Sequence, residues 1–137
     1  MEVRSFDSQP DGALTLGLAA LVQALAAYVL DGGDVDRPGE SVERHNRWSA
    51  MEYATRGRFL VPGRDAPVDV TELVHDAVEL ARPYARALGS EPWLDVIEPA
   101  VAEHRALSAI AAFEAGGVRG LLEHCVLSAD ARDRAAT

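Results

Sequence analysis

The sequence predicts a mainly α-helical fold, in which one N-terminal β-strand precedes five or six helices. Apolar residues make up 48% of the 137 positions, aromatic residues only 6%, and alanine is abundant. This composition favours close-packed helices over a β-sandwich. Apolar side chains also recur at helical spacing along most of the chain, whereas strict alternation is confined to residues 2–7. The length is that of a single domain, residues 1–137.

The first predicted helix covers residues 11–30. Asp11 is a suitable N-cap, and Gly32 and Gly33 are suitable stop residues. The helix is apolar almost all round, which predicts burial on several sides. Its longest apolar run, residues 18–30, is broken by Gln23 and is shorter than the ~20 residues that span a bilayer. We therefore expect no membrane span.

The second helix is predicted over residues 41–56, and a short strand over residues 58–61. Asp69 followed by Glu72 has the spacing of a capping box and opens a third helix, which Gly89 closes. Pro83 is expected to kink or split that helix.

The last third of the chain is also predicted to be helical. Pro92 lies in the first turn of a helix whose expected inner face is Trp93, Leu94, Ile97 and Val101. Helices follow at residues 107–115 and 118–127, joined by a turn at Gly116 and Gly117. Residues 128–137 are expected to form a frayed tail.

The charge and the cysteine content limit which classes of partner the protein is expected to bind and in which compartment it is expected to lie. The net charge is −9, from 22 acidic and 13 basic residues, so we expect no nucleic acid or anionic membrane as partner. Every basic residue is an arginine, which excludes a P-loop lysine. Cys125 is the single cysteine, so no intrachain disulfide forms and we expect a cytoplasmic protein.

Two groups of residues are candidates for chemistry. Glu2 and Arg4 share one face of the predicted strand, where a carboxylate and a guanidinium can hold magnesium and clamp a phosphate. An exposed ion pair is the other interpretation, and spacing alone favours it. Asn46, Arg47 and Trp48 share one helical turn that can orient a small charged ligand. The competing interpretation is a buried Trp48 with solvated polar neighbours.

Three segments together resemble a known family: Glu-Val-Arg-Ser-Phe-Asp at residues 2–7, the alanine- and leucine-rich stretch at residues 16–25, and Asn-Arg-Trp-Ser-Ala at residues 46–50. They resemble the C-terminal third of type 2 glutamate–cysteine ligases and related carboxylate–amine ligases, and the resemblance covers residues 2–127. The chain departs from the family at His45 and Ser49, where glutamate and arginine are usual.

The resemblance implies a glutamine-synthetase-like α+β fold and a two-step ligase reaction. Such enzymes use ATP and magnesium to phosphorylate the γ-carboxylate of glutamate, and the amine of cysteine then attacks the acyl phosphate. By resemblance, Glu2 is a magnesium ligand and Arg4 is the catalytic contact to the transferred phosphoryl group. Asn46, Arg47 and Trp48 bind substrate or nucleotide.

The sequence therefore predicts the C-terminal part of an ATP-dependent glutamate–cysteine ligase-like enzyme, inactive as this chain alone. Its substrates are expected to be glutamate with cysteine or another amine. A companion N-terminal chain or a homo-oligomer is the expected assembly. The alternative is a stand-alone helical oligomerisation module without catalysis, in which the apolar first helix and the open-edged strand bind a partner.

Overall fold

A computed structural model describes residues 11–34, 37–103 and 105–133, and it confirms the mainly α-helical class. The predicted N-terminal strand, with Glu2 and Arg4, lies outside the described residues. The helices are α1 (Gly12–Leu30), α2 (Glu40–Tyr53), α3 (Val70–Ala87), α4 (Ile97–Ala102) and α5 (Arg105–Asp133). Two 3₁₀ helices cover Ala54–Arg56 and Glu91–Val96, and β1 (Arg58–Phe59) pairs with β2 (Val68–Asp69).

Helix α1 begins where the sequence predicts. Asp11 is its N-cap, and the Asp11 carboxylate accepts a hydrogen bond of 2.9 Å from the backbone N–H of Ala13. Because the first N–H groups of a helix lack intrahelical partners, this bond stabilises the start of α1. The chain leaves the helix at Asp31 and turns through Gly32, which has a φ of 89°.

The core lies between α1, α3 and the second 3₁₀ helix. Its buried members are mostly small residues: Ala20, Ala24, Val78, Ala81, Ala85, Leu94 and Ile97. Alanine side chains are short, so the two helices approach closely and pack at high density with little side-chain volume between them. Tyr28 and Tyr84 extend this contact at the end of α1, where their rings meet edge to face at 5.7 Å.

Helix α1 buries only one face, which corrects the prediction of burial on several sides. Leu14, Gly17, Ala20 and Ala24 are buried, whereas the apolar side chains on the opposite face stay exposed, among them Leu16, Val29 and Leu30. Glycine and alanine make up most of the packed face, and larger side chains such as Leu21 and Leu25 pack beside it only partly buried. The exposed side is therefore apolar without a covering element among the described residues.

Helix α1 is also longer than its uninterrupted apolar run. With 19 residues and a mean hydropathy of 2.0, it is long enough and apolar enough to cross a membrane by length and composition. The expectation that the segment is too short was therefore wrong, because the helix starts at Gly12. The core helix of a folded domain passes the same test, and α1 packs against α3 and the second 3₁₀ helix. Length and composition alone do not assign it to a membrane.

Helix α3 continues through Pro83 to Ala87, so the predicted split does not occur. Proline removes one intrahelical hydrogen bond, but Ala81 and Ala85 are both fully buried on either side of it. Packing against the core therefore keeps both sides of Pro83 helical. Gly89, with a φ of 73°, ends the segment as predicted.

The next segment differs from its prediction in two respects. It begins as the 3₁₀ helix Glu91–Val96 and becomes α-helical only at Ile97. Leu94 and Ile97 are buried as expected, but Trp93 is 41% exposed and Ala100 takes an inner position in its place. The tighter 3₁₀ winding explains the difference, because it turns each residue by about 120° instead of about 100°.

An ion-pair network joins α3 to the second 3₁₀ helix. The Arg86 guanidinium donates hydrogen bonds of 2.7 and 2.6 Å to the two carboxylate oxygens of Glu91. Arg82 donates to Asp95 at 3.0 Å and to Glu79 at 2.9 Å. The hydrogen bonds from Arg86 hold the pKa of Glu91 below its ordinary value of 4.5. This geometry is the strong bidentate form of an arginine–carboxylate pair.

Replacing Gly17 tests the close approach of α1 to the second 3₁₀ helix. A Cβ at Gly17 would lie 2.7 Å from the backbone oxygen of Trp93 and 2.6 Å from a Val96 methyl group. Gly17→Ala should therefore lower the free energy of unfolding by about 1–3 kcal/mol, in spite of the better helix propensity of alanine. Gly12→Ala is the control, because a Cβ there meets no atom within 4 Å. Equal stability of the two variants in denaturant unfolding would contradict the contact.

The Glu91 pair makes a pH-dependent contribution to stability. A carboxylate whose pKa is lower in the folded state stabilises the fold above its unfolded value of 4.5, and this contribution is lost as the pH falls through the folded pKa. Glu91→Gln should therefore be less stable than the parent at neutral pH, and the gap should close in acid. Melting temperatures across this range measure the gap. Glu52→Gln, on exposed α2, is the control, and a constant gap for Glu91→Gln would contradict the linkage.

Candidate functional site

The predicted binding turn lies on α2, between its acidic start and its end at the β1–β2 hairpin. Gly39 is the N-cap of α2, so the helix begins one residue before its predicted start. Glu40 and Glu43 complement the positive end of the helix. The helix stops at Tyr53 because Ala54 adopts a positive φ of 49°. The chain then turns through the first 3₁₀ helix into β1.

Strands β1 and β2 are each two residues long and pair antiparallel, with Arg58 opposite Asp69 and Phe59 opposite Val68. The Arg58 guanidinium pairs with the Asp69 carboxylate at 3.2 Å and donates to the Pro67 carbonyl at 2.7 Å. Asp69 is the N-cap of α3 as predicted, but its side chain makes no capping hydrogen bond. The predicted capping box was therefore wrong in its side-chain contact, because the carboxylate pairs with Arg58 across the hairpin.

Two polar side chains of α2 hold the free edge of β1. The Asn46 carboxamide donates to the Leu60 carbonyl at 2.8 Å and accepts from the Leu60 N–H at 2.8 Å. The Ser49 hydroxyl donates to the Arg58 carbonyl at 2.9 Å and accepts from the Arg58 N–H at 3.2 Å. Each side chain thus satisfies both backbone groups of one residue. We call this pair of contacts the α2–β1 clamp.

Helix and strand geometry explain why the clamp fits. Residues three apart on a helix have Cβ atoms about 5–6 Å apart on one face. Residues two apart on a strand point their backbone groups to the same side and lie about 6.6 Å apart. The spacing of Asn46 and Ser49 on α2 therefore matches the spacing of Leu60, directly after β1, and Arg58 in β1. Ser49 is buried, and its two bonds remove the cost of an unsatisfied hydroxyl.

Arg47 and Trp48 do not take part in the clamp. The Arg47 guanidinium donates to Glu43 one turn earlier at 2.9 Å, and both side chains are exposed. Trp48 is 52% exposed, so it is not the buried tryptophan of the competing interpretation. Its ring lies 5.9 Å from the His45 ring and meets the Tyr53 ring edge to face at 5.6 Å. The turn therefore presents a cation and an aromatic cluster to the surface.

A shallow depression of about 310 Å³ lies beside this turn and is lined by Glu40, Glu43, Arg44 and Arg47. Its lining mixes two carboxylates with two guanidinium groups, and the Arg47–Glu43 ion pair lies within it. The Asn46 carboxamide is engaged at both ends by Leu60. The structure thus brings Arg47 into this depression and directs Asn46 to the hairpin.

Among the described residues, no group of three or more histidine, cysteine, aspartate or glutamate side chains could hold a metal ion. The predicted roles of Glu2 as metal ligand and Arg4 as catalytic contact concern residues outside the described ranges, and they stay predictions. The binding roles of Asn46, Arg47 and Trp48 also stay predictions.

Comparison with known proteins shows that the matching relatives are ligases. The chain is 32% identical to the "Glutamate--cysteine ligase" of Haloquadratum walsbyi over 78 residues, which are 54% of this chain and 22% of the relative. It is 28% identical to the "Putative glutamate--cysteine ligase 2" of Thermobifida fusca over 102 residues, which are 71% of this chain and 25% of the relative. No solved structure matches it significantly.

Residues 1–124 match the family model of glutamate-cysteine ligase family 2. The chain belongs to this family, which confirms the resemblance seen in its motifs. The matched segments span about a quarter of the length of the curated relatives.

Sequence reasoning missed the role of Ser49, which it treated only as a departure from the family pattern. The signal that could have found it is the pair of small polar residues at i and i+3, ten or so residues before a short β-forming segment. Such a pair has the geometry to form hydrogen bonds with the unpaired backbone N–H and C=O groups of an edge strand.

The clamp predicts different effects for neighbouring residues of one motif. Asn46→Ala and Ser49→Ala should each lower the free energy of unfolding by about 1–3 kcal/mol, because each leaves one backbone N–H and one backbone C=O without a hydrogen-bond partner. Arg47→Ala is the control and should cost less than about 0.5 kcal/mol, since its ion pair is exposed. Amide hydrogen exchange should show loss of protection at Arg58 in Ser49→Ala and at Leu60 in Asn46→Ala. Unchanged exchange at both amides would contradict the clamp.

Proposed function

We propose that this chain is the C-terminal part of an ATP-dependent glutamate–cysteine ligase-like enzyme and is inactive by itself. The observation that carries the proposal is the family match over residues 1–124, combined with curated ligases of which the chain covers only about a quarter. We place the enzyme in the cytoplasm, on the strength of a single cysteine.

The proposed reaction joins two amino acids through an activated carboxylate. An oxygen of the γ-carboxylate of glutamate attacks the terminal phosphorus of ATP, and ADP leaves. The amine of cysteine, or of another acceptor, then attacks the carbonyl carbon of the acyl phosphate, loses a proton, and displaces phosphate. ATP and magnesium are proposed as cofactors of the whole enzyme, because the proposed reaction transfers a phosphoryl group from ATP and a magnesium ion would stabilise the charge on the phosphates.

The proposed roles within this chain divide between two places. Arg4 contacts the transferred phosphoryl group, where a guanidinium stabilises the charge that develops. Glu2, two positions before it on the same face of the predicted strand, is a magnesium ligand. Arg47 and Trp48 bind substrate or nucleotide at the surface turn on α2. Asn46 holds that turn against the hairpin through Leu60.

Complementation tests this proposal. The chain alone, with glutamate, cysteine and Mg·ATP, should release no phosphate above background. Adding the Thermobifida fusca relative, truncated so that it lacks its matching quarter, should restore phosphate release. Glu2→Gln and Arg4→Ala should each reduce the restored rate by at least about 100-fold, as for loss of a transition-state contact.

The control is Arg119→Ala, which removes an exposed arginine of α5 and should leave the restored rate unchanged. Turnover by the chain alone would refute its inactivity. Complementation that survives Arg4→Ala would refute the proposed role of that residue.

A second candidate is a helical interaction module without catalysis. The exposed apolar side chains of α1, Leu16, Val29 and Leu30, favour it, because exposed apolar patches on folded domains commonly mark interaction sites. Such a module binds its partner regardless of Mg·ATP, and truncated ligase does not restore phosphate release when added to it.

A further inference from the structure

Helix α1 leaves one side open to solvent, and that side carries no charge. None of the 19 residues of α1 is charged. At about 100° per residue, the exposed residues of α1 fall on one half of the helix surface. We call this half the outer face, and its side chains are Thr15, Leu16, Ala19, Gln23, Val29 and Leu30. Leu16, Val29 and Leu30 are 47%, 49% and 89% exposed.

The composition of the outer face is that of a surface which other residues cover. The Thr15 hydroxyl donates to the Asp11 carbonyl at 3.0 Å, so the Gln23 carboxamide is the one polar side-chain group of this face without a partner among the described residues. A solvated helix of the same chain looks different, since α2 carries the exposed Arg47–Glu43 ion pair. A helix that is apolar on all sides is normally buried on several of them.

No other element of the described chain covers the outer face. Helix α1 packs mainly on α3, the second 3₁₀ helix and α4, and it does so through the side that holds Ala20 and Ala24. Among the described helices, α1 is also the one without a charged side chain. The outer face is therefore the described surface that water solvates least well.

The length of the relatives indicates what covers this face. The matched segments make up 22% and 25% of the two curated ligases, so about three quarters of each relative fall outside the match. Helix α1 lies inside the matched residues 1–124. The buried fraction of a folded chain rises with its length, because a longer chain has more residues to cover each surface. A face that is exposed in one quarter of a ligase is therefore a candidate contact for the other three quarters.

We propose that the outer face of α1 is the docking surface for a companion chain that carries the remaining three quarters of the ligase. This inference rests on the proposed function, which takes the chain as the C-terminal part of such an enzyme. Leu16, Val29 and Leu30 supply the apolar contact, and the Gln23 carboxamide can donate to and accept from the companion's polar groups. Because no charge of α1 takes part, the affinity depends only weakly on salt concentration.

Binding of the full chain to the Thermobifida fusca relative, truncated so that it lacks its matching quarter, tests the proposal by titration calorimetry. The parent should bind. Leu16→Arg should weaken binding by at least about 10-fold, because docking would bury a guanidinium without a partner. Leu80→Arg is the matched control and should bind like the parent, since Leu80 is a leucine of α3 that is 43% exposed. Equal binding of the two variants, or no binding of the parent, would overturn the docking surface.

A fusion separates this inference from the proposed function. In the fusion, the chain replaces the matching quarter of the relative within one polypeptide, so phosphate release from glutamate, cysteine and Mg·ATP does not require two chains to dock. Release by the fusion, with equal binding of the two variants in the titration, would refute the docking surface and support the proposed function. No release by the fusion, with selective loss of binding in Leu16→Arg, would refute the activity and support the docking surface.

Measurements on the chain alone separate the companion from other occupants. Leu16→Arg and Leu80→Arg should lower the melting temperature by similar amounts, since both leucines are about half exposed. A much larger drop for Leu16→Arg would show that the chain covers its own outer face. A mass above 14.7 kDa in sedimentation that Leu16→Arg abolishes would assign the face to a second copy. Binding to phosphatidylcholine vesicles that Leu16→Arg abolishes would assign it to a membrane. Each of these three results would overturn the proposal.

Discussion

The close packing of α1 on α3 and the second 3₁₀ helix is the contact on which the rest of the structure depends. Small residues bring the elements together, Gly17, Ala20 and Ala24 on α1 and Ala81 and Ala85 on α3, and Val78, Leu94 and Ile97 fill the space between them. Small side chains bury little apolar area each, so the stability comes from close approach and dense packing. The consequence is geometric, because a helix face made largely of small residues leaves larger apolar side chains of α1, such as Leu16 and Val29, exposed.

The same arrangement recurs in α5, where Gly120 lies close to the Ala112 backbone and Phe113 and Val118 stay exposed. Both exposed apolar surfaces therefore have one physical cause. Neither surface carries net charge: α1 has no charged side chain, and residues 104–137 hold four arginines and four acidic residues.

Local signals were read correctly from the sequence where a single residue determines the local backbone. Asp11 as N-cap and Gly89 as stop are such cases, because capping chemistry and left-handed backbone involve only near neighbours. The two-residue strand β2 was missed because it is defined by its partner across the hairpin. Pro83 was misjudged for a related reason: tertiary packing outweighed the local penalty. Leu94 and Ile97 were found in the core, but the 3₁₀ winding moved Trp93 outward.

In the candidate site, too, local sequence signals were predictable, whereas contacts between residues distant in sequence were not. The Asn-Arg-Trp turn is recognisable in the sequence. The motif alone does not indicate that Asn46 forms hydrogen bonds to the hairpin while Trp48 is exposed on the surface. That distinction follows from i and i+3 geometry together with the position of β1, which only the fold supplies. Ser49 illustrates the point, since the side chain that differs from the family pattern satisfies the backbone of Arg58. A long arginine at this position could not lie in the same buried space. The short, buried side chain of Ser49 and the close approach of α2 to β1 therefore belong together.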